Sequence, residues 1–149
     1  MRAKHDKRAK QSGFTLVELL IAMSILTFGI LVIASMQISS MRGNTVSGLV
    51  TDASNFAVDK TETLMRLGYR DAALDDSDTD GISGIGDASV ATADHSETKT
   101  SVSGKTYNIF WNIAENEPRT GTKTVKVTVI WNERGVQKST SLDLIKADM

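Results

Sequence analysis

The fold of this chain is decided where a basic leader meets an apolar run, at the stretch Gly13-Phe14-Thr15-Leu16-Val17-Glu18. The apolar run covers residues 14–34, and its only polar side chains are Thr15, Glu18, Ser24 and Thr27. A helix of that length rises roughly 30 Å, which matches the hydrocarbon thickness of a bilayer. The sequence therefore predicts a transmembrane and assembly helix over residues 14–34, preceded by a leader of residues 1–13.

Two features distinguish this segment from a secretory signal peptide. No Ala-x-Ala cleavage pattern follows the apolar run, and the small residue Gly13 precedes it instead. Glu18 places a carboxylate in a segment bound for lipid, where an acidic residue at mid-membrane costs roughly 2.5 to 3.5 kcal/mol. Cleavage after Gly13 would create an α-amino group one helical turn from Glu18, and such an amine stays protonated up to about pH 8. An amine and a carboxylate from adjacent subunits would then neutralise each other, which is a mechanism for stacking subunits in register.

The charged leader that ends at Gly13, with Phe14 next and Glu18 four residues later, resembles the type IV prepilin signature. The resemblance implies that a membrane peptidase cuts between Gly13 and Phe14 and methylates the new amino terminus. It also implies that Glu18 orders subunits during filament assembly. The alternative is that Glu18 snorkels at the membrane edge. Snorkelling explains neither Gly13 nor the Phe-Thr-Leu-Val-Glu string.

A narrower resemblance lies further along the helix. Gly29-Ile30-Leu31, followed by Ala34, Met36 and Gln37, is similar to the PilV-type minor pilins, the pilus modification proteins. The I-type minor pseudopilins of type II secretion share much of the same pattern. The resemblance implies a long amino-terminal helix packed on a small antiparallel sheet, which is an α+β, type IV pilin-like fold.

Charge is distributed unevenly along the chain. The formal net charge of the 149 residues is -1, but the leader carries +4 and leaves about -5 on the processed chain. Because positive flanking charge stays on the cytoplasmic side, we expect a single-pass membrane protein with its carboxyl-terminal domain outside. The prepilin resemblance implies that the membrane is the bacterial inner membrane, that the domain lies in the periplasm, and that the chain is later assembled into an extracellular pilus. A nucleic-acid patch is the alternative reading of the basic leader, but basic runs beside an apolar segment are typical topology signals. No nucleic-acid partner is predicted.

The chain contains no cysteine, although the predicted exterior would permit disulfides. Many major pilins that resemble this chain at the amino terminus close a carboxyl-terminal loop with a disulfide. The lack of cysteine therefore argues for a minor subunit, and it removes thiol catalysis and thiolate metal sites.

Residues 35–68 are predicted to continue the helix in amphipathic form. Apolar and long side chains recur every three or four residues and form one stripe: Leu49, Ala53, Phe56, Lys60, Leu64 and Leu67. Gly68 supplies a stop. A glycine weakens a helix by about 1 kcal/mol relative to alanine, so we expect a bend or local melting at Met41-Arg42-Gly43-Asn44.

Residues 69–105 are predicted to form an acidic loop. Eight acidic residues lie between Asp71 and Thr98, without a lysine or arginine among them. Within this segment the spacing D-x-D-x-D-G, with a later carboxylate, is typical of calcium loops. The candidate ligands are Asp76, Asp78, Asp80, the carbonyl of Ile82, and Asp87. The last ligand is an aspartate instead of the usual glutamate, so a plain solvated loop remains the alternative. Ca²⁺ is the only cofactor that the sequence suggests.

Residues 106–149 are predicted to form an antiparallel sheet. Apolar residues alternate with period two in two runs, from Tyr107 to Ile113 and from Val125 to Trp131. Each run has a Trp-Asn pair at or near its end. Turns are predicted at Glu117–Gly121 and at Arg134-Gly135, and a third strand at Ser139–Ile145. Trp111 and Trp131 are expected in a core shared with the helix, and ligand stacking is the alternative.

No catalytic constellation emerges, because His5 lies in the leader and His95 in the acidic segment. The sequence therefore predicts a filament subunit without enzyme activity, a type IV minor pilin that joins a priming or tip complex. By resemblance, its partners would be other minor pilins, the major pilin, the prepilin peptidase, the inner-membrane assembly platform, and membrane lipid before assembly. The alternatives are a minor pseudopilin of type II secretion and a membrane-anchored calcium-binding domain that does not polymerise.

Overall fold

The computed structural model describes residues 13–148, so residues 1–12 of the predicted leader lie outside the described chain. One long helix, α1 (Leu16–Arg66), is followed by four strands: β1 (His95–Thr100), β2 (Thr106–Glu115), β3 (Thr122–Glu133) and β4 (Val136–Ala147). Two short 3-10 helices, Ala72–Leu74 and Gly81–Ser83, lie between α1 and β1. The predicted α+β class, a long amino-terminal helix and a small antiparallel sheet of the type IV pilin kind, is confirmed.

The described chain divides into two compact units, with the boundary between Asn44 and Thr45. In the first unit the apolar side chains of α1 are exposed to the surroundings, and the helix is long and apolar enough to cross a membrane. Helical structure continues without a break through Met41–Asn44, so the expected local melting is wrong. A single glycine costs only about 1 kcal/mol in a helix, which the neighbouring helical turns absorb.

The second unit is built around the sheet, whose strands are antiparallel in the order β1-β2-β3-β4. One face of the sheet and one stripe of α1 form the core, which includes both tryptophans at 6–7% exposure. The predicted core position of the tryptophans is therefore confirmed. Buried α1 residues are Leu49, Ala53, Ala57, Lys60 and Leu64, while Phe56 and Leu67 pack against them.

Both predicted turns are confirmed. Residues 116–121 join β2 to β3, and Arg134-Gly135 join β3 to β4. Arg134 and Gly135 have φ values of 52° and 81°, the pattern of a two-residue hairpin turn whose twist matches the flanking strands. The third predicted strand, at Ser139–Ile145, is longer than expected and runs from Val136 to Ala147 as β4. Leu144 is buried, whereas Leu142, on the same face of β4, remains 38% exposed.

The acidic segment 69–105 contains a strand that the sequence does not predict. Strand β1 has no apolar side chain, so it lacks the period-two signal of a half-buried strand. Two of its three inward-facing residues, Glu97 and Lys99, are charged and pair with residues of α1. Lys60 binds Glu97 at 2.7 Å, and Lys99 binds Asp59 at 2.6 Å. These ion pairs take the place of apolar contacts between α1 and β1.

The far end of the sheet is tied to the end of α1. The last carbonyl groups of a helix lack intrahelical donors. The Lys146 ammonium at the end of β4 donates to the Leu64 carbonyl at 3.2 Å and to the Met65 carbonyl at 2.8 Å. This side chain therefore caps α1 from the sheet.

Candidate functional site

The predicted processing pair lies just before the helix. Gly13 and Phe14 have no helical structure, and the Phe14 side chain is 85% exposed. Thr15 starts α1, because its carbonyl accepts from the Leu19 amide and its hydroxyl accepts from the Glu18 amide at 3.3 Å. The spacing Thr-x-x-Glu is that of a capping box, which marks a helix start. Because the helix begins only after Thr15, the Gly13–Phe14 bond lies in non-helical backbone.

Glu18 is the only ionisable residue between positions 14 and 41. The hydroxyl groups around it bond within the helix: Ser24 donates to the Leu20 carbonyl at 2.8 Å and Thr27 to the Met23 carbonyl at 2.8 Å. Such bonds satisfy polar side chains inside lipid. Within residues 13–148, by contrast, the Glu18 carboxylate has no hydrogen-bond or ion-pair partner. It is an isolated carboxylate in the first turn of an exposed apolar helix.

Three of the predicted calcium ligands lie close together. Oxygen atoms of Asp76, Asp78 and Asp80 lie within 4.8 Å of one another. Asp76 Oδ2 accepts from the Gly81 amide at 3.0 Å, while Asp76 Oδ1 is buried and has no hydrogen-bond partner among residues 13–148. Gly81 has a φ of 58°, a left-handed conformation that glycine adopts readily. Three carboxylates at this spacing supply hard oxygen atoms, which Ca²⁺ prefers.

The other two predicted ligands are placed differently. Asp87 is not a member of the three-carboxylate group, and its backbone holds the loop instead: its amide donates to the Gly84 carbonyl at 2.8 Å. Ile82 lies in the 3-10 helix Gly81–Ser83, with its side chain 54% exposed.

Electrostatics in this cluster disfavour the charged carboxylates. Desolvation, followed by the nearby Asp94 carboxylate, raises the pKa of Asp76 above its usual 3.8. Desolvation and the neighbouring Asp78 carboxylate likewise raise the pKa of Asp80. A bound cation would reverse this effect, because opposite charge favours the ionised form.

Asp94 and Asn112 organise the loop, and the sequence reasoning did not identify either role. Asp94 Oδ1 accepts from the Ser77 amide at 2.6 Å, and its Oδ2 accepts from the Ile113 amide of β2 at 2.8 Å. The Asn112 side chain is buried and donates to the Asp87 carbonyl at 2.7 Å, while its oxygen accepts from the Asp94 amide. The available signal was an asparagine, Asn112, inside the apolar run of residues 109–114, since buried polar groups need partners.

Similarity to known proteins is confined to the amino terminus. The family model described as the prokaryotic N-terminal methylation motif matches residues 8–34. No curated protein and no solved structure shows significant similarity to the chain. The motif is of the prepilin type, which is consistent with a type IV pilin-like substrate of the prepilin peptidase. The motif and the exposed apolar helix fit a single-pass inner-membrane anchor with a carboxyl-terminal domain, later assembled into the pilus.

Proposed function

We propose that this chain, a type IV pilin-like substrate of prepilin peptidase by its methylation motif, is a minor pilin that helps to prime or cap the filament. The observation that carries the proposal is the Glu18 carboxylate, which lies alone in an exposed apolar helix four residues after Phe14. A buried charge without a partner costs several kcal/mol. The amino terminus of an adjacent subunit supplies the opposite charge once Gly13 has been removed.

The minor role, within a PilV-type subgroup, is supported by the lack of cysteine and by the string after Gly29. The domain contributes partner contacts instead of catalysis. We therefore propose that it has no enzyme activity. The partners on this proposal are the other minor pilins and the major pilin, together with the inner-membrane assembly platform. A minor pseudopilin of type II secretion would use the same helix, so the choice between the two depends on which machine fails without the chain.

Substitution of Glu18 tests the proposal. Glu18→Gln keeps the size of the side chain and removes its charge, so it should abolish incorporation into sheared filaments without affecting membrane insertion. Glu62→Gln is the matched control, because Glu62 lies on the same helix outside the apolar run and makes only an exposed contact with Arg66. Wild-type incorporation of Glu18→Gln would contradict the filament role and favour a membrane-anchored binding domain. Lost secretion with intact pili would instead assign the chain to a secretion pseudopilus.

Mass spectrometry of the amino terminus tests the processing step separately. With the prepilin peptidase present, the mature chain should begin at a methylated Phe14. Without the peptidase it should retain the leader. A cut at another bond would contradict the assignment of Gly13 and Phe14.

We also propose that the acidic loop binds Ca²⁺ through Asp76, Asp78 and Asp80. The buried, unpartnered Oδ1 of Asp76 favours this second role. Titration of the full chain in detergent with CaCl₂ should raise its melting temperature, and Asp78→Asn with Asp80→Asn should abolish the rise. Asp143→Asn is the control, because Asp143 lies on β4 and its carboxylate makes one ion pair among the described residues, with Lys126 at 3.9 Å. No shift at millimolar calcium would leave a plain acidic loop.

A further inference from the structure

The two edges of the sheet differ in how well they are protected. Strand β1 is only six residues long, and both of its inward charges are held by α1. Beyond the end of β1, the Asp94 carboxylate accepts from the Ile113 amide of β2. Short strands and charged residues are the usual means by which proteins prevent strand addition at an edge. The β1 edge is therefore closed to further strands.

The β4 edge is less protected, although it also carries the charged residues Lys138, Asp143 and Lys146. Its 12 residues pair with β3 along their whole length without a bulge, and they include no proline or glycine. Within residues 13–148, no strand pairs with the outer side of β4. Three apolar side chains of β4 are exposed: Val136 by 55%, Leu142 by 38% and Ile145 by 63%. A long, regular and partly apolar edge is the kind that accepts another strand.

Two cavities lie where β4 runs beside α1. The first, of about 290 Å³, is lined by Val46 and Val50 of α1 and by Trp131, Lys138 and Thr140 of the sheet. The second, of about 360 Å³, is lined by residues at the end of α1, just after it, and at the end of β4: Met65, Leu67, Tyr69, Leu144, Ile145, Lys146 and Ala147. Alternate side chains of a strand added to β4 would face α1. A side chain of the added strand opposite Thr140 would lie over the first cavity. A side chain opposite Leu144 or Lys146 would lie over the second.

The charge on this edge indicates what kind of chain would bind. Lys138 lies opposite Trp131 on the helix side of the sheet, is exposed, and makes no ion pair with any residue of 13–148. Two copies of β4 could also pair antiparallel about a two-fold axis. In the registers that pair nearly all of the strand, Lys138 lies opposite Leu144 or Lys146 of the second copy. Neither arrangement gives Lys138 an opposite charge. A carboxylate on a different chain would do so.

We infer that the β4 edge accepts an extended strand from another pilin-like subunit. This inference rests on the proposed minor-pilin function and names the surface by which the chain holds its neighbour. The bound strand has two apolar residues on its helix-facing side, four or six positions apart, which enter the two cavities. It also has an aspartate or glutamate opposite Lys138. The main-chain hydrogen bonds supply affinity, and the cavities and Lys138 supply specificity.

Peptide binding to the full chain in detergent tests the inference. The probes are fluorescent overlapping peptides that cover the periplasmic domains of the other pilin-like proteins of the same bacterium. A peptide with the stated pattern should bind and should slow amide exchange in residues 136–147. Val50→Lys should weaken binding at least about tenfold, since its long charged side chain would occupy the first cavity in place of the apolar side chain of the bound strand. Val58→Lys is the matched control, because Val58 is 46% exposed and Val50 43% exposed on the same helix, and Val58 does not line the cavity.

A charge exchange tests the role of Lys138. Lys138→Glu should weaken binding, and a peptide whose acidic residue is replaced by lysine should restore it. The inference is overturned if no peptide binds, if bound peptide leaves β4 amides unprotected, or if Val58→Lys is as damaging as Val50→Lys. Sedimentation that shows a β4-dependent dimer of this chain would also overturn it. Because binding in detergent needs neither cleavage nor polymerisation, a chain that binds peptide but never enters filaments would overturn the proposed function alone.

Discussion

Lys60 and Glu97 form an ion pair of 2.7 Å that joins helix α1 to strand β1. The Lys60 ammonium also lies 3.7 Å from the centre of the Trp111 ring, so one buried lysine links the helix, the edge strand and the core. A cation over an indole ring is attracted by the electron density of the ring face. The arrangement explains how a strand without apolar residues is held in the fold.

Glu97→Ala should therefore destabilise the domain. It leaves the Lys60 ammonium buried without its carboxylate, and loss of a hydrogen bond to a charged group costs about 1.5 to 3 kcal/mol. Because the Glu97 side chain is 31% exposed, we expect the lower part of that range in the free energy of unfolding. Urea denaturation followed by tryptophan fluorescence measures it. Glu62→Ala, which removes an exposed ion pair of 3.5 Å, should change stability by less than about 0.5 kcal/mol. Equal effects would contradict the role of Lys60.

Asp94→Asn should loosen the acidic loop. The substitution removes the charge that accepts from the amides of Ser77 and Ile113. Because charge-assisted hydrogen bonds contribute about 1.5 to 3 kcal/mol, exchange of these amides should accelerate at least about tenfold. Hydrogen exchange with mass spectrometry measures the change. Asp87→Asn is the control, since the Asp87 carboxylate makes no hydrogen bond within residues 13–148. Unchanged exchange in Asp94→Asn would show that the loop is held by other contacts.

The stability of the calcium-free protein should depend on pH through the acidic loop. The raised pKa values of Asp76 and Asp80 mean that the folded state binds these protons more tightly than the unfolded state does. Their stabilising contribution is present at low pH and is lost as pH rises through the folded pKa values. In the presence of a chelator, the melting temperature should therefore rise as pH falls from about 7 towards about 4. Asp76→Asn with Asp80→Asn should flatten this dependence.

The ion pair between Lys99 and Asp59 has the opposite effect on stability, at lower pH. A hydrogen bond from Lys99, together with its charge, lowers the pKa of Asp59 below the usual 3.8. The stability from this pair is present above 3.8 and is lost as pH falls through the lowered pKa. Below about pH 4, the melting temperature should therefore decline again. A melting temperature that falls steadily from neutral pH downward, in both the wild type and the double variant, would contradict the assignment to Asp76 and Asp80.

Gly84→Ala should weaken calcium binding with little effect on the stability of the calcium-free protein. A Cβ atom at Gly84 would overlap the carboxylate of Asp80, so that flexible side chain must leave the three-carboxylate group. Gly84 has a φ of -91°, which alanine tolerates, so the backbone is not strained. Gly86→Ala is the matched control, because a Cβ there meets nothing within 4 Å. Calcium titration by calorimetry compares the two variants, and equal affinities would exclude Asp80 as a ligand.

Much of this fold could be predicted from the sequence because apolar periodicity marks it. The α1 stripe, the β2 and β3 alternation and the turn at Arg134-Gly135 each have a local signal that the tertiary structure preserves. Strand β1 has none, since its contacts with α1 are ionic and separated by about 40 positions in the chain. Charged residues in an acidic segment predict a solvated loop, because the local sequence does not show that Lys60 of α1 faces Glu97.

The candidate sites divide in the same way. Gly13, Phe14 and Glu18 form a short contiguous motif, and the matched methylation motif includes all three positions. The calcium ligands depend on how a loop closes, and spacing alone could not show that Asp87 would hold the backbone while Asp94 joined the loop to β2. Asp94 holds the loop through the backbone amide of Ile113 in β2. A backbone amide is present in nearly every residue, so the sequence does not mark this one as a partner.

The bonds from Lys146 to the end of α1 have a consequence for the order of events during biogenesis. They join residues separated by 81 and 82 positions, so they form only after nearly the whole described chain has crossed the membrane. Contacts between distant parts of a chain form late because a long loop must first close. An interrupted translocation product would have the anchor in the bilayer but would lack the lysine that ties the sheet to the carboxyl end of α1. The sheet is therefore tied to the end of α1 only once β4 has been exported.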